Sequence, residues 1–275
     1  METRVGALRL AGAVIAAAGT GGIPAGSAPR PAEAPLGAVV TASLSYRSRA
    51  GRPPRLVETA AGAVYVPGAA QTGVRQALRR QARGWADSPF PVVVSLVGDS
   101  AGSLAAAATE LEGVRGVAAI EVNLAAFEEA SGAPFGHDPA VAAQSVRAVR
   151  RACALPVWAK LAVDLSDAPG TLAALAAAGA AASTIGGGVP AAGPAGNAGY
   201  PGYLVGPATF PIVLALVQRL AAEAPLPIVA CGGVVSAVEA RAYLRAGAVA
   251  VQVGSAHLAN PGAAQDVASA LATGT

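Results

Sequence analysis

Residues 227–256 constrain the fold of this chain more than any other stretch, because two apolar strands flank one helix there. Residues 227–230 and 248–253 are short apolar runs, and residues 237–246 have apolar side chains at helical spacing. Parallel strands need a crossover of this kind, whereas antiparallel strands can be joined by a tight turn. The stretch therefore predicts a β-α-β unit of a parallel α/β fold.

Glycine follows both strands of this unit at the point where each strand ends. Gly232 and Gly233 come after the first strand, and Gly254 and Ser255 come after the second. Glycine lets the backbone approach an anion, and (β/α)8 barrels commonly bind phosphate on the loops after strands seven and eight. The turns therefore predict a phosphate cradle. Two tight turns of an ordinary α/β unit are the alternative interpretation.

Alternation of strand and helix continues through the rest of the 275 residues without a break in composition. Continuous apolar runs are typical of strands that are covered on both faces. Such an alternation predicts an α/β fold, a (β/α)8 TIM barrel formed by residues 1–275 as a single domain. A doubly wound sheet is the weaker alternative, because no G-x-G-x-x-G follows the first strand. The six further predicted strands cover residues 13–17, 37–41, 91–97, 118–122, 156–161 and 180–185.

Three segments lack a regular apolar period and are predicted to be loops. Residues 47–55 form a basic, proline-containing stretch, and residues 65–73 are irregular. Residues 186–203 are rich in Gly, Pro and Ala, and a long loop of this kind inside a compact domain is usually a lid or a binding loop.

Composition and charge exclude several classes of protein. Charged residues make up 13% of the chain and the net charge is +3, which is typical of a compact domain rather than a disordered one. The basic run at residues 79–83 lies on a predicted helix, so we interpret it as a solvated face and expect no nucleic-acid partner. No segment is long enough for a transmembrane helix, and we expect no membrane association and no metal site.

The N-terminus and the cysteines bear on the compartment. Residues 5–18 are apolar enough to be mistaken for a signal peptide, but Arg9 interrupts them and a strand-to-loop pattern ends them. Cys153 and Cys231 lie far apart in different elements, which does not suggest a disulfide framework. We therefore expect a cytoplasmic protein. The only lysine, Lys160, ends a predicted strand, where a compact ammonium group has a use that arginine does not serve.

Six sequence segments occur in an order that resembles one known family. They are LGAVVTASLSYRSRAGRPPR at 36–55, PFGHDPAVAA at 134–143, LPVWAKL at 155–161, GYLVGPA at 202–208, IVACGGV at 228–234 and AVQVGSA at 250–256. Together they resemble the class 1 dihydroorotate dehydrogenases, closest to class 1B, which are FMN-dependent (β/α)8 barrels. The resemblance implies FMN as cofactor, a homodimer, and an electron-transfer partner protein that carries an iron–sulfur cluster and FAD.

The resemblance also implies which residues would hold the flavin. Lys160 would lie beside the N1/C2=O edge, where a cation stabilises negative charge on the reduced ring. Asn123 would form a hydrogen bond near the isoalloxazine. A barrel-end salt bridge for Lys160 and a loop cap for Asn123 are the alternatives. The remaining positions implied to be cofactor-binding are Ala18, Gly19, Ser43, Ile185, Gly206, Gly232, Gly233, Gly254 and Ser255.

The substrate half departs from the family pattern. The family's catalytic Cys or Ser corresponds to Ala126, its lysine after the second strand to Ala42, and its asparagine after the sixth strand to Gly187. A methyl group cannot accept a proton, and loss of a positioned base costs ~10²–10⁴-fold in rate. We therefore predict that the chain is not an efficient dihydroorotate dehydrogenase.

Glu128 and Tyr65 are the candidate catalytic residues that remain near the reacting centre. Glu128 lies on the loop that carries the base in the family, and Tyr65 could donate a proton or bind a carbonyl. A surface carboxylate and a tyrosine packed over the ring are the alternatives. Three functions stay open: an FMN-dependent oxidoreductase acting on a less polar carbonyl-containing small molecule, an auxiliary FMN-binding barrel, and a flavin-free phosphate-binding lyase or isomerase.

Overall fold

The structure is a computed structural model that describes residues 2–18, 36–51, 54–66, 68, 70–126, 136–163, 167–193 and 200–274. Its strands are β1 (Thr3–Val5), β2 (Leu8–Leu10), β3 (Val14–Ala16), β4 (Ala38–Val40), β5 (Leu44–Ser45), β6 (Arg55–Thr59), β7 (Gly62–Val66), β8 (Thr72–Gly73), β9 (Val92–Leu96), β10 (Val117–Asn123), β11 (Val157–Leu161), β12 (Ala182–Gly186), β13 (Val189–Gly193), β14 (Tyr200–Val205), β15 (Ile228–Cys231) and β16 (Ala250–Val253). Its α-helices are α1 (Val74–Ala86), α2 (Ala101–Thr109), α3 (Pro139–Ala152), α4 (Ala168–Ala177), α5 (Phe210–Ala221), α6 (Ala237–Arg245) and α7 (Ala263–Thr273).

Eight parallel strands close into a barrel. Their order is β3, β4, β9, β10, β11, β12, β15 and β16, and β16 pairs with β3 to complete the ring. Each is a continuous apolar run because helices cover its outer face and the barrel interior covers its inner face. The predicted (β/α)8 barrel is confirmed, and every predicted barrel strand overlaps the observed one.

Helix starts follow the local sequence. Asp138 accepts a hydrogen bond from the backbone N–H of Ala140 at 2.7 Å, and Pro139 occupies the first helical position of α3. Ser236 and Glu239 form a capping box that fixes the first turn of α6 directly after the Gly232-Gly233 turn. None of the helices in the described ranges is long and apolar enough to cross a membrane.

The core has two parts because strand side chains alternate between the barrel interior and the surrounding helices. The larger part lies between strands and helices. The smaller part fills the lower interior with residues such as Ile15, Val93 and Trp158. Val5 and Leu10 of the β1–β2 hairpin belong to the same interior cluster, so this hairpin closes the lower end of the barrel.

A second, antiparallel sheet corrects the prediction of a loop at residues 186–203, and it includes Tyr65 and Val66 from the start of the stretch predicted to be irregular. Its strand order is β13-β14-β7-β6, and Tyr65 pairs with Tyr203. The segments contain Gly and Pro and lack alternating apolar residues, so their sequence gives no strand period. Backbone pairing between distant segments forms these strands, which a local pattern cannot predict. The sheet continues through Val205 into Gly206 at the carboxyl end of the barrel.

Candidate functional site

A polar layer lies in the barrel interior above the apolar layer. Glu121 on β10, Thr184 on β12 and Gln252 on β16 form hydrogen bonds with one another although their strands are not neighbours. Contacts between non-adjacent strands of a closed barrel run through its interior. The three side chains are almost completely buried. They therefore form a polar floor between the apolar core and the carboxyl end of the barrel.

Lys160 joins this floor from β11. Its Nζ donates to Gln252 Oε1 at 3.0 Å and lies 3.8 Å from Glu121 Oε1. Glu121 Oε2 accepts from Gln252 Nε2 at 2.6 Å and from Thr184 Oγ1 at 2.9 Å. The salt bridge that was the alternative interpretation of Lys160 is thus present. It does not exclude a role in binding, because Lys160 also lines a cavity.

Electrostatics keep Lys160 charged despite its burial. Burial by itself lowers the pKa of an ammonium, but the neighbouring Cys231 and Glu121 outweigh it and raise the pKa of Lys160 above its usual value. Burial raises the pKa of the Cys231 thiol. Cys231 and the carboxylate of Glu121 thus both act on Lys160, and Glu121 Oε1 faces its ammonium at 3.8 Å.

A second hydrogen-bonded chain contains Asn123 and Ser43. Asn123 is the register neighbour of Lys160 across β10 and β11. Its Nδ2 donates to Ser43 Oγ at 3.2 Å, and Ser43 Oγ lies 2.9 Å from Ser95 Oγ. The backbone N–H of Ser95 donates to Thr41 Oγ1 at 3.1 Å. The Asn123 side chain is therefore held by the Ser43 hydroxyl, which is in turn bonded to Ser95 on β9.

A cavity opens above Lys160 at the carboxyl ends of the strands, where (β/α)8 barrels place their active sites. Ala18, Lys160, Gly206, Gly232, Gly233, Gly254 and Ser255 line it, seven of the residues predicted to bind the cofactor. Ala17, Gly187, Val205, Thr209 and Cys231 complete the lining. The structure thus brings these predicted positions from distant parts of the sequence to one cavity.

Four predicted cofactor positions are not among the residues that line the cavity: Gly19, Ser43, Asn123 and Ile185. Ile185 is fully buried and packs in the cluster between strands and helices, so its side chain points away from the barrel interior. A contact of Ile185 with the flavin ring would therefore involve its backbone and not its side chain. Gly19 lies outside the described residues, and so does the catalytic candidate Glu128.

Glycine is required in the turn after β15. Gly233 has φ +65°, and a Cβ there would lie 2.6 Å from the backbone N of Phe210. The carbonyl of Gly232 accepts a hydrogen bond from the Tyr243 hydroxyl at 2.8 Å, which fixes the turn from the side of α6. The turn therefore packs closely against the start of α5, and Gly232 and Gly233 present backbone without side chains to the cavity.

Tyr203 of the antiparallel sheet contacts the loop that follows β10, and Tyr65 is its partner on the neighbouring strand. Tyr203 is buried, and its hydroxyl donates to the carbonyl of Ala125. Burial is the main cause that raises the pKa of Tyr203 above its usual value, and it raises the pKa of Tyr65 as well. Both phenols are therefore protonated near neutral pH. We call the antiparallel sheet of β13, β14, β7 and β6 the lid sheet. Tyr203 connects this sheet to Ala125, the residue next to Ala126.

Two positions at which the family pattern has polar groups are occupied by small residues in this chain. A Cβ added to Gly187 would lie 3.0 Å from Lys160 Cε, and Ala42 is exposed at the end of the second barrel strand. Neither position carries a hydrogen-bonding side chain. Gly187 therefore adds no polar group to the cavity above Lys160, and Ala42 is not part of the cavity lining.

Sequence reasoning missed the polar floor. Glu121 and Gln252 each interrupt an otherwise apolar strand. Glu121 lies two residues before Asn123, and Gln252 lies two residues before Gly254, so each shares a strand face with a position at the strand end. A charged or amide side chain in the middle of a run buried on both faces indicates a polar interior partner. Combining that signal with the strand period could have paired Glu121 with Lys160.

A family model described as dihydroorotate dehydrogenase matches residues 1–273. The chain belongs to the dihydroorotate dehydrogenase family. The catalytic subunit of dihydroorotate dehydrogenase B (NAD(+)) from Desulforudis audaxviator is 37% identical over 275 residues, covering 97% of this chain and 90% of the relative. The protein of that name from Trichlorobacter lovleyi is 32% identical over 281 residues, covering 98% and 92%. The one from Pelobacter propionicus is 33% identical over 245 residues, covering 86% and 80%.

Membership in the dihydroorotate dehydrogenase family confirms the resemblance and makes this chain a member of an oxidoreductase family. The match runs through both halves of the barrel, so it includes the glycine turns and the polar floor alike. The family assignment thus covers the whole cavity described above.

Proposed function

We propose that this chain is an FMN-dependent oxidoreductase of the dihydroorotate dehydrogenase family that acts on a less polar, carbonyl-containing small molecule. The observation that carries the proposal is the cavity in which a glycine cradle and a buried ammonium face each other. The family's relatives are named for dihydroorotate oxidation. The difference in substrate is argued from the residues around Ala126.

The residues present fit FMN. The turns at Gly232-Gly233 and Gly254-Ser255 would hold its phosphate through their backbone. Gly233 must lack a side chain because a Cβ there would collide with Phe210, and a backbone without side chains can approach the anion closely. Lys160 would contact the N1/C2=O edge of the ring, with Asn123 and Ser43 nearby. Gly206 and Ala18 would line the walls. When bound, FMN supplies a hydride acceptor next to the substrate carbon.

The protein's own groups would then orient the substrate and manage charge. Lys160 would offset negative charge on the ring edge in a site where water does not screen it. Tyr65 and Tyr203 would exclude water from above. The protonated hydroxyl of Tyr65 can donate to a substrate carbonyl, whereas that of Tyr203 donates to Ala125. Ala126 can neither accept nor donate a proton, so Glu128 is the proposed base on this loop.

The absence of polar side chains argues against dihydroorotate as the preferred substrate. Orotate carries a carboxylate and an imide, and each buried polar group left without a partner costs about 1–3 kcal/mol. Ala42, Ala126, Gly187 and Val205 cannot supply such partners. A ligand with fewer polar groups and a single carbonyl is better matched to this lining.

A partner protein is part of the proposal. The relatives are catalytic subunits of an enzyme that carries NAD(+) in its name, which implies another subunit that takes part in electron transfer. We propose that this chain also passes electrons to a partner protein. We further propose that it works as a homodimer in the cytoplasm.

The test begins with the absorbance spectrum of the purified protein. We expect a flavin spectrum, release of FMN on denaturation, and reduction of the flavin by dithionite. Dihydroorotate should bleach the flavin about 10²-fold or more slowly than it bleaches the flavin of the Desulforudis audaxviator relative assayed beside it. Bleaching at the rate of the relative would overturn the substrate proposal. A protein that neither carries nor binds FMN would overturn the cofactor proposal.

A further inference from the structure

We propose that Glu121 is a positioning residue that sets the charge and the field of Lys160 at the flavin edge. The proposal rests on the FMN-dependent function proposed above. The carboxylate of Glu121 has no solvent exposure and lies in the centre of the barrel. Two hydrogen bonds, one between Glu121 and Gln252 and one between Gln252 and Lys160, connect it to the cavity. A buried carboxylate is too costly to be a neutral feature of the core.

The two oxygens of Glu121 are in different situations. Oε2 accepts two hydrogen bonds, from Gln252 and Thr184, which fixes the orientation of the carboxylate. Oε1 is buried and has no hydrogen-bond donor among the described residues. It faces the Lys160 ammonium at 3.8 Å, which is an ion-pair distance but too long for a hydrogen bond. The carboxylate is thus held where it acts on Lys160 through charge alone.

Lys160 keeps hydrogen-bonding capacity for the cavity. An ammonium has three donors, and its partners among the described residues are Gln252 Oε1 and the side chain of Cys231, which leaves one donor for the cavity. Because Glu121 stays beyond hydrogen-bond distance, it stabilises the charge of Lys160 without occupying this donor. The geometry therefore separates two tasks: Gln252 orients the amine through a hydrogen bond, and the Glu121 carboxylate acts on it at ion-pair distance.

Stability alone does not explain this arrangement. Replacing a buried ion pair by apolar residues of similar volume is often neutral or stabilising, so such pairs are not needed to hold a fold. The layer immediately below is apolar and well filled. A polar floor that contains the only lysine of the chain and borders the cavity is better explained by control of the cofactor.

The charges around Lys160 determine the expected pH dependence. Among the described residues, Glu121 on β10 and Cys231 on β15 are the titratable groups that act on it, whereas Thr184 and Gln252 are neutral. With Glu121 present, Lys160 stays protonated through the neutral range. Without it, one of the two groups that oppose the effect of burial is lost, and buried lysines can lose their proton near neutral pH.

The test is the reduction potential of bound FMN in Glu121→Gln, measured by dye-coupled titration from pH 6 to pH 9. At pH 6 the variant's lysine is still protonated and its opposing anion is gone. Reduction should then be favoured about tenfold over wild type, an upward shift of ~30 mV for a two-electron couple. As pH rises, the lysine loses its proton and the difference should fall and change sign, while wild type shows no such break.

Two matched variants separate charge from structure. Thr184→Val removes a hydrogen bond to the same oxygen without changing charge, and its potential should follow that of wild type at every pH. Glu121→Asp keeps the charge and should restore the wild-type pH profile. FMN content and urea unfolding are measured on all variants first.

Each outcome bears on one claim. If FMN binds and the Glu121→Gln potential follows wild type across the pH range, the role of Glu121 is wrong while the cofactor assignment stands. If wild type itself shows a lysine-linked break below pH 9, the inference also fails, and this measurement needs no variant to fold. If no form of the protein binds FMN, the proposed function fails instead.

Discussion

At the scale of single residues, the carboxylate of Glu121 offsets part of the cost of burying the Lys160 ammonium. The effect of replacing Lys160 therefore depends on whether Glu121 is still present. Lys160→Met leaves Glu121 in the barrel without a counter-ion, which should lower the free energy of unfolding by about 3–5 kcal/mol at pH 7. Adding Glu121→Gln to this variant should recover most of that loss, because an uncharged pair tolerates burial. Urea unfolding of wild type, both single variants and the double variant gives the coupling energy.

A coupling energy near zero would mean that the 3.8 Å contact is not an effective ion pair in solution. In that case Lys160 and Glu121 are independent residues, and the raised pKa of Lys160 needs another cause. FMN binding should be weakened by every variant without the lysine, including the stable double variant. This separates the role of Lys160 in binding from its role in stability.

Gly233 offers a second test at the same scale, with a built-in comparison. Gly233 and Gly113 both have left-handed backbone, with φ +65° and φ +71°, but only a Cβ at Gly233 meets other atoms. Gly113→Ala should cost only the conformational strain, about 1–2 kcal/mol. Gly233→Ala should cost more, and it alone should weaken FMN binding, because the Phe210 backbone must move. Equal effects on FMN affinity would argue against a cradle at Gly232-Gly233.

At the scale of elements, the difference between the predicted and the observed structure has a clear physical cause. The barrel strands could be predicted because strands such as β9 and β15 are continuous apolar runs, and both faces of such strands are buried. The lid sheet could not, because β14 reads YPGYLV and its pairing partner β7 lies far away in sequence. Its stability comes from cross-strand pairs such as Tyr65–Tyr203, which no local period encodes.

The lid sheet provides a prediction of its own through Tyr203. Tyr203→Phe removes the donor to the Ala125 carbonyl and should cost about 1 kcal/mol in the free energy of unfolding. Because this bond ties the sheet to the loop after β10, amide hydrogen exchange at residues 124–126 should become faster. Tyr65→Phe changes the paired tyrosine and removes a hydroxyl in the same sheet, so it serves as the control. FMN content should be unchanged in both variants, and unchanged exchange in Tyr203→Phe would contradict the tie.

At the scale of the whole molecule, the barrel interior is divided into layers with different tasks. The lower layer is apolar and is closed by the β1–β2 hairpin, whereas the upper layer is polar and borders the cavity. The glycine turns and Lys160 could be located from sequence because each ends a strand. The partnership of Glu121, Thr184 and Gln252 could not, because it depends on which strands face each other across the barrel.

Because the interior is layered, we expect a substitution in the lower, apolar layer to reduce stability without changing the affinity of the cavity for FMN. Leu10 is 1% exposed and packs with Ile15, Val40 and Trp158 in the interior cluster, so Leu10→Ala should cost about 2–5 kcal/mol. Leu8 lies on the same strand but is only partly buried, and Leu8→Ala should cost clearly less. The affinity for FMN should match wild type in both variants, because the polar layer separates the hairpin from the cavity. Urea unfolding followed by tryptophan fluorescence and by circular dichroism gives the two energies, and a large loss of FMN affinity in Leu10→Ala alone would show that the layers are coupled.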